Sequence, residues 1–242
     1  MILLIGTGHV FNLSSALIQI FNERAPDILC VELDAQRYQG LKMKKEHPEA
    51  FESQQGKAPF TYRMLARFQE SLAKQYGVQA GDEMLTTGEY AAGHGIPLAF
   101  IDRNAQQVFQ RMLRSMTIRE KIRLFFSGIG GLFVSRKKVE DQIEHIGDNV
   151  ESYLNQVSDT FPTIKRVLID ERNTYMVSQL ISLQKTYETV IAVVGDGHIP
   201  GIIELLEEKD ALVDSIRLKD LQQMKPSSDT SQASFTIHQQ AS

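Results

Sequence analysis

The sequence predicts an α/β protein, with a central mostly parallel sheet, flanking helices and a large inserted helical region. Two observations lead there. Short apolar runs rich in strand-forming residues recur at wide spacing, and the segments between them carry apolar residues at helical intervals. The runs are apolar on both faces, as strands buried beneath helices on either side must be.

The first run is Ile2-Leu3-Leu4-Ile5, which meets Gly6 with no basic leader before it and so reads as a strand and not a signal peptide. Val10, Leu13, Leu17 and Ile20 then fall at helical spacing and return the chain, by a right-handed crossover, to a second strand at Ile28-Leu29-Cys30-Val31. Leu98-Ala99-Phe100-Ile101 is the third strand, Val190-Ile191-Ala192-Val193-Val194 the fourth, and Val213 to Leu218 a weaker fifth. From 58 to 76 and from about 106 to 187, charged segments of helical period replace the strand signals. These predict helices forming a layer or lid over one end of the sheet, where ligands of open α/β sheets bind. Residues 1–225 thus form one domain with its insertion at about 106–187, and 226–242, rich in Ser, Thr, Gln and Asp, is expected to be a disordered polar tail.

Composition narrows the function. The 242 residues are 42% hydrophobic and 23% charged, enough for a sizeable core, and the net charge of -4 argues against a nucleic-acid partner. The single cysteine, Cys30, excludes an intrachain disulfide and any Cys-based zinc module, and it suits a reducing cytoplasm. The longest strongly apolar stretch, 124–134, is shorter than the roughly 20 residues of a spanning helix, so no transmembrane segment is expected. It reads as a buried turn between helices, with contact to a second copy of the chain or to a membrane surface as the alternative.

The motif with most chemistry occurs twice, as Gly6-Thr7-Gly8-His9 and Gly195-Asp196-Gly197-His198. Each follows a strand and precedes a helix, so glycines that permit a sharp turn would set His9 and His198 at helix N-termini on one edge of the sheet. A dinucleotide site is the weaker reading: Glu32 and Asp34 supply its acid, but Phe11 stands where that fingerprint needs a small residue. Glu32 continues a buried strand, where a carboxylate needs a cation, a metal or a histidine, whereas Asp34 with Arg37 suits a structural pair. Arg103 after the third strand faces the same edge. Glu83 opens a helix, and Glu171, Arg172 and Tyr175 lie within one helical segment, with Glu171 and Tyr175 on a shared face.

Taken in order, Gly6-Thr7-Gly8-His9, Glu32-Leu33-Asp34 with Arg37, Gly81 with Glu83-Met84, Ile101-Asp102-Arg103, Glu171-Arg172 with Tyr175-Met176, and Gly195-Asp196-Gly197-His198 resemble the TraB/PrgY family, within the wider Tiki, GumN and erythromycin-esterase-like grouping. The resemblance implies a hydrolytic site with His9 and His198 at its core, Glu32 as its acid, and Arg103, Glu171 and Arg172 in support. Relatives include metal-dependent peptidases, metal-independent esterases and a haem-associated branch, and many continue into C-terminal membrane helices. Thr87 stands where the family often has a small apolar residue. The leading expectation is a hydrolase of a peptide or another small amide or ester, with Glu83 and Tyr175 contacting substrate. His9, Glu32 and His198 would ligate a divalent metal (manganese, cobalt or zinc) that activates water. In the metal-free version His9 deprotonates water directly and Glu32 orients its ring. Sequestration of a peptide or cofactor without turnover, as in pheromone shutdown, is the alternative.

Overall fold

The computed structural model describes residues 1–8, 13–47, 81–123 and 161–224. Its element order is β1 (Ile2–Thr7), α1 (Ser14–Arg24), β2 (Ile28–Val31), α2 (Ala35–Glu46), α3 (Asp82–His94), β3 (Leu98–Phe100), α4 (Ala105–Ser115), α5 (Pro162–Lys165), a π-turn (Arg166–Asp170), α6 (Glu171–Gln184), β4 (Val190–Gly195), a 3-10 turn (Asp196–His198), α7 (Ile199–Glu207), β5 (Val213–Ile216) and α8 (Leu218–Gln223). The strands form one sheet in the order β3-β2-β4-β1-β5, parallel throughout. The expected α/β architecture is therefore present, with each strand where the apolar runs put it.

Alternation along the strands builds two cores. Leu3, Ile5, Leu29, Val31, Ile191 and Val193 face α1 and α3, and meet Leu17, Ile20, Phe21, Met84 and Leu85. Ile2, Leu4, Ile28, Cys30, Val190, Ala192 and Val194 face α6 and α7, and meet Met176, Val177, Leu180, Ile202 and Leu206. Each fully buried aliphatic or aromatic side chain contributes about 1.5–3 kcal/mol. Burial also pushes the Cys30 thiol up to about 12, which makes it an unreactive core residue.

β1 and β4 are neighbours, yet the chain leaves them for opposite faces, through α1 and α7 respectively. That divergence is a topological switch point, and it opens a crevice at the carboxyl edge. The strands leading to both glycine-histidine motifs thus run side by side in the same direction, with Gly6 paired to Val194 and Thr7 to Gly195.

The helices of the inserted region supply a third, smaller core of Val108, Met112, Met116 and Val167. α6 is the crossover helix covering one face on the way to β4. Glu120 joins the two roots of the insertion. It accepts from Thr117 N–H at 2.8 Å and from Thr163 N–H at 2.9 Å, with both threonine hydroxyls also donating to it. The 58–76, 124–134 and 226–242 segments, on which expectations of helix, apolar turn and disordered tail rested, lie outside the described residues. Among the described residues no helix is long and apolar enough to cross a membrane.

Candidate functional site

Polar side chains collect where β2, β3 and β4 end. Glu32 follows β2 directly, its N–H donates to the Val193 carbonyl at 3.1 Å, and strand alternation turns its carboxylate to the α6/α7 face with Ile28 and Cys30. Asp102 stands just past β3. His198 closes the 3-10 turn after β4 and occupies the N-cap position of α7. Arg172 and Asn173 come from the first turn of α6, immediately after the π-turn, in which Glu171 N–H reaches back five residues to the Arg166 carbonyl. Such a widened turn rotates the residues beyond it relative to a regular helix, and π-turns concentrate at functional sites.

Arg172 is the hub. Its Nε and Nη2 donate to Asp102 Oδ1 and Oδ2 at 2.9 and 2.8 Å, Nη2 also donates to Glu32 Oε1, and Nη1 donates to the Leu168 carbonyl at 3.0 Å and to His198 Nε2 at 3.1 Å. A guanidinium has five N–H bonds, and all five are engaged. The His198 ring is held at both nitrogens: Nδ1 donates to Asn173 Oδ1 at 2.6 Å, while Nε2 lies between Arg172 Nη1 and Glu32 Oε1, the latter 3.2 Å away. Glu32 Oε2 accepts from Gly195 N–H at 2.6 Å.

The charges are mutually supporting. Burial alone would raise the Glu32 pKa, but the positive charges of His198 and Arg172, with hydrogen bonds from His198 and the Gly195 amide, hold its carboxyl well below the ordinary value. Burial likewise opposes the Arg172 charge, and Glu32 and Asp102 outweigh it and raise its pKa. Two carboxylates, those of Glu32 and Asp102, thus share the one guanidinium of Arg172, with the His198 ring set against the same group.

The glycines at this edge provide clearance and not left-handed backbone. Gly195 is extended, with φ -60° and ψ 135°. A Cβ on Gly6 would collide with Asp196 Oδ1, and one on Gly201 would collide with Asn173 Nδ2. Asp196 can thereby lie against β1, where Arg217 grips it through Nε at 2.9 Å and Nη2 at 2.7 Å and the Leu218 N–H donates to it. The sharp-turn role expected of these glycines is thus replaced, at Gly6 and Gly195, by close packing of polar side chains.

Of the residues singled out by sequence, Glu32, Arg172 and His198 meet in this cluster. His9 lies outside the described residues. Arg103 turns away from it: its guanidinium sits over the Tyr175 ring, 4.8 Å from the centroid, which also accounts for Tyr175. Glu171 points outward too, bound by Arg111 and by Arg166 at 3.0 Å. Glu83 is buried at the start of α3 on the opposite face of the sheet. Asp34 caps α2 by accepting the Arg37 N–H at 3.0 Å and also accepts from Ala105 N–H, a structural role. The Thr87 hydroxyl donates to the Glu83 carbonyl at 2.7 Å, so a polar residue is accommodated in that helix.

Two members of the cluster were not singled out. Asp102 follows its strand as Glu32 follows β2, a parallel the eye-catching Arg103 beside it obscures. Asn173 was legible as the polar member of the buried stripe Asn173, Met176, Val177, Leu180, whose spacing is that of a helix face.

Of the three expected metal ligands, His9 lies outside the described residues and the other two, Glu32 and His198, are already engaged. The donor atoms Glu32 Oε1 and His198 Nε2 both already bond to Arg172, so an ion at the roughly 2.0–2.2 Å of metal ligation would sit against a guanidinium. Among the described residues no group of three or more His, Cys, Asp or Glu side chains is placed to hold a metal.

Comparison with known proteins bears on the whole arrangement. The sequence model of the TraB/PrgY/gumN family matches residues 1–215. An uncharacterized protein of Methanocaldococcus jannaschii is 30% identical over 212 residues, covering 86% of this chain and 53% of its own length. TraB domain-containing proteins of Bos taurus and Homo sapiens are each 25% identical over 232 residues, covering 82% of this chain and 60% of their own. The chain therefore spans between half and two thirds of the length of these relatives.

Proposed function

The chain belongs to the TraB/PrgY/gumN family, and we propose that it is a hydrolase of ester or amide bonds in which Arg172, and not a bound metal, is the resident cation. The observation that carries this reading is the position of His198 Nε2, 3.1 Å from Arg172 Nη1 and 3.2 Å from Glu32 Oε1. Asn173 Oδ1 only accepts, so it fixes the proton on Nδ1 and leaves Nε2 as the basic nitrogen.

In this reading His198 takes a proton from water as the water attacks the substrate carbonyl. Protonated Nε2 no longer accepts from Arg172 and instead donates to Glu32 Oε1. The Nη1–H that faced Nε2 is released at that moment and becomes a donor for the oxyanion forming on the carbonyl. The proton on Nε2 then passes to the departing alcohol or amine, and Arg172 Nη1 returns to the ring nitrogen. Asp102 keeps the guanidinium in place throughout by its two parallel hydrogen bonds.

Incubation of the purified chain with a panel of p-nitrophenyl esters and a peptide library, read by absorbance and mass spectrometry, tests the proposal. Turnover should survive chelation and fall about 10²–10⁴-fold in His198→Gln. Loss on chelation with recovery on adding manganese, cobalt or zinc would restore a metal to the role given to Arg172. Peptides bound but recovered whole would favour sequestration.

A further inference from the structure

An open pocket of about 360 Å³ lies between α4 and the π-turn, its lining including Arg103, Gln107, Arg111, Arg114, Val167 and Glu171. Three guanidiniums face one carboxylate, in a protein whose net charge is -4. The Glu171 charge is already matched by Arg111 and Arg166. The guanidiniums of Arg103 and Arg114 make neither an ion pair nor a hydrogen bond among the described residues, although Tyr175 supports the Arg103 group from beneath. Two exposed cations whose N–H donors no described residue claims, lining one pocket with Gln107, form a receptor for an anion.

The pocket is tied to the proposed reaction centre through the backbone: Arg103 follows Asp102 and Glu171 precedes Arg172, with both side chains turned outward from the cluster into the pocket. We propose that this pocket binds a carboxylate of the substrate, such as the C-terminal carboxylate of a peptide, and so selects acidic esters or amides; this rests on the hydrolase reading above. A carboxylate, and not a phosphate, is the anion that a peptide or an acidic ester or amide carries, and because Arg111 and Arg166 already hold the Glu171 charge, Arg103 and Arg114 are the groups left to meet the substrate's carboxylate.

The test titrates the full chain, with ¹⁵N-labelled arginine, with acetyl-trialanine, its C-terminal amide and inorganic phosphate, following the arginine Nε–Hε signals by NMR. The free acid should shift the Arg103 and Arg114 signals and bind at least about tenfold more tightly than the amide or phosphate. That preference should vanish in the doubly substituted Arg103→Gln/Arg114→Gln chain and persist in His198→Gln. Both arginines are exposed, so the glutamine variants are expected to fold, which circular dichroism checks. Equal binding of acid and amide, tighter binding of phosphate, or an undiminished preference in the double variant overturns the proposal. Acid-selective binding without turnover of any ester or amide would leave the pocket standing and remove the hydrolase reading. Turnover without acid selectivity would do the reverse.

Discussion

Replacing Arg172 by methionine removes the only guanidinium that the described residues bring to the cluster while keeping the apolar stem, and it leaves Glu32 and Asp102 facing each other's charge. The side chains of Arg172, Glu32 and Asp102 are 15%, 9% and 2% exposed, so solvent does little to screen the loss. Breaking a buried pair by removing one partner costs about 3–5 kcal/mol. At about 2–4 °C per kcal/mol for a domain of this size, the melting temperature should fall by roughly 6–20 °C. The pH dependence gives a sharper test, because its sign inverts. In the native protein the Glu32 carboxyl lies below its ordinary value, so its contribution is complete above the unfolded value of 4.5 and is lost as pH falls through that value toward the folded one. In Arg172→Met the folded cluster carries two uncompensated carboxylates and binds a proton more readily than the unfolded chain does. Stability should then rise as pH falls from about 8 to 6, more steeply than in the native protein. Urea unfolding of both proteins across that range reads the two slopes. Parallel slopes, with a loss below about 1 kcal/mol, would mean that the cluster is not the coupled electrostatic unit its geometry implies.

Three further substitutions test the framework around the site. Glu120→Gln should destabilise by about 1–3 kcal/mol, because a neutral amide cannot accept all four hydrogen bonds that join Thr117 to Thr163. Although burial opposes it, those same bonds lower the Glu120 pKa to about 2, so its contribution is complete above 4.5 and fades between there and 2, and the variant's deficit measured by urea unfolding should shrink over that window. Gly201→Ala should drive Asn173 off the His198 ring and reduce any turnover at little cost to the fold, whereas Gly93→Ala, with open space around its Cβ, should stabilise by about 0.4–1 kcal/mol and leave turnover unchanged. A Gly201→Ala chain with wild-type turnover would remove Asn173 from the mechanism.

How much of this was legible beforehand follows from what each feature depends on. Strands appear in the sequence as apolar runs because burial on both faces is a local compositional demand, and all five were placed from it. Glu32 was legible for the same reason, since a carboxylate terminating such a run must find a cation. The identity of that cation was not. Arg172 and Arg103 both lie near the sheet edge in sequence terms, and what separates them is the π-turn at Arg166–Asp170, whose extra residue no periodicity announces. Glu171 and Tyr175 do share a helical face, but that face meets Arg111, Arg166 and Arg103 instead of the histidine.

The same comparison explains why a metal is a natural expectation from sequence and what the proposal of Arg172 as resident cation rests on. A histidine and a glutamate on adjacent parallel strand ends are a ligand pair as far as sequence can tell, and only the third partner decides whether they grip an ion or a side chain. Here the partner is a guanidinium whose five donors meet five acceptors from β2, β3, the π-turn and the turn after β4. Such a group is costly to move, because shifting it would strip hydrogen bonds from two buried carboxylates at once. The one bond it can give up cheaply is that to His198 Nε2, since protonation of the ring breaks it and supplies Glu32 with a replacement donor in the same step. A cluster that is rigid in every bond except the one a proton can switch has the property a general base beside an oxyanion donor requires.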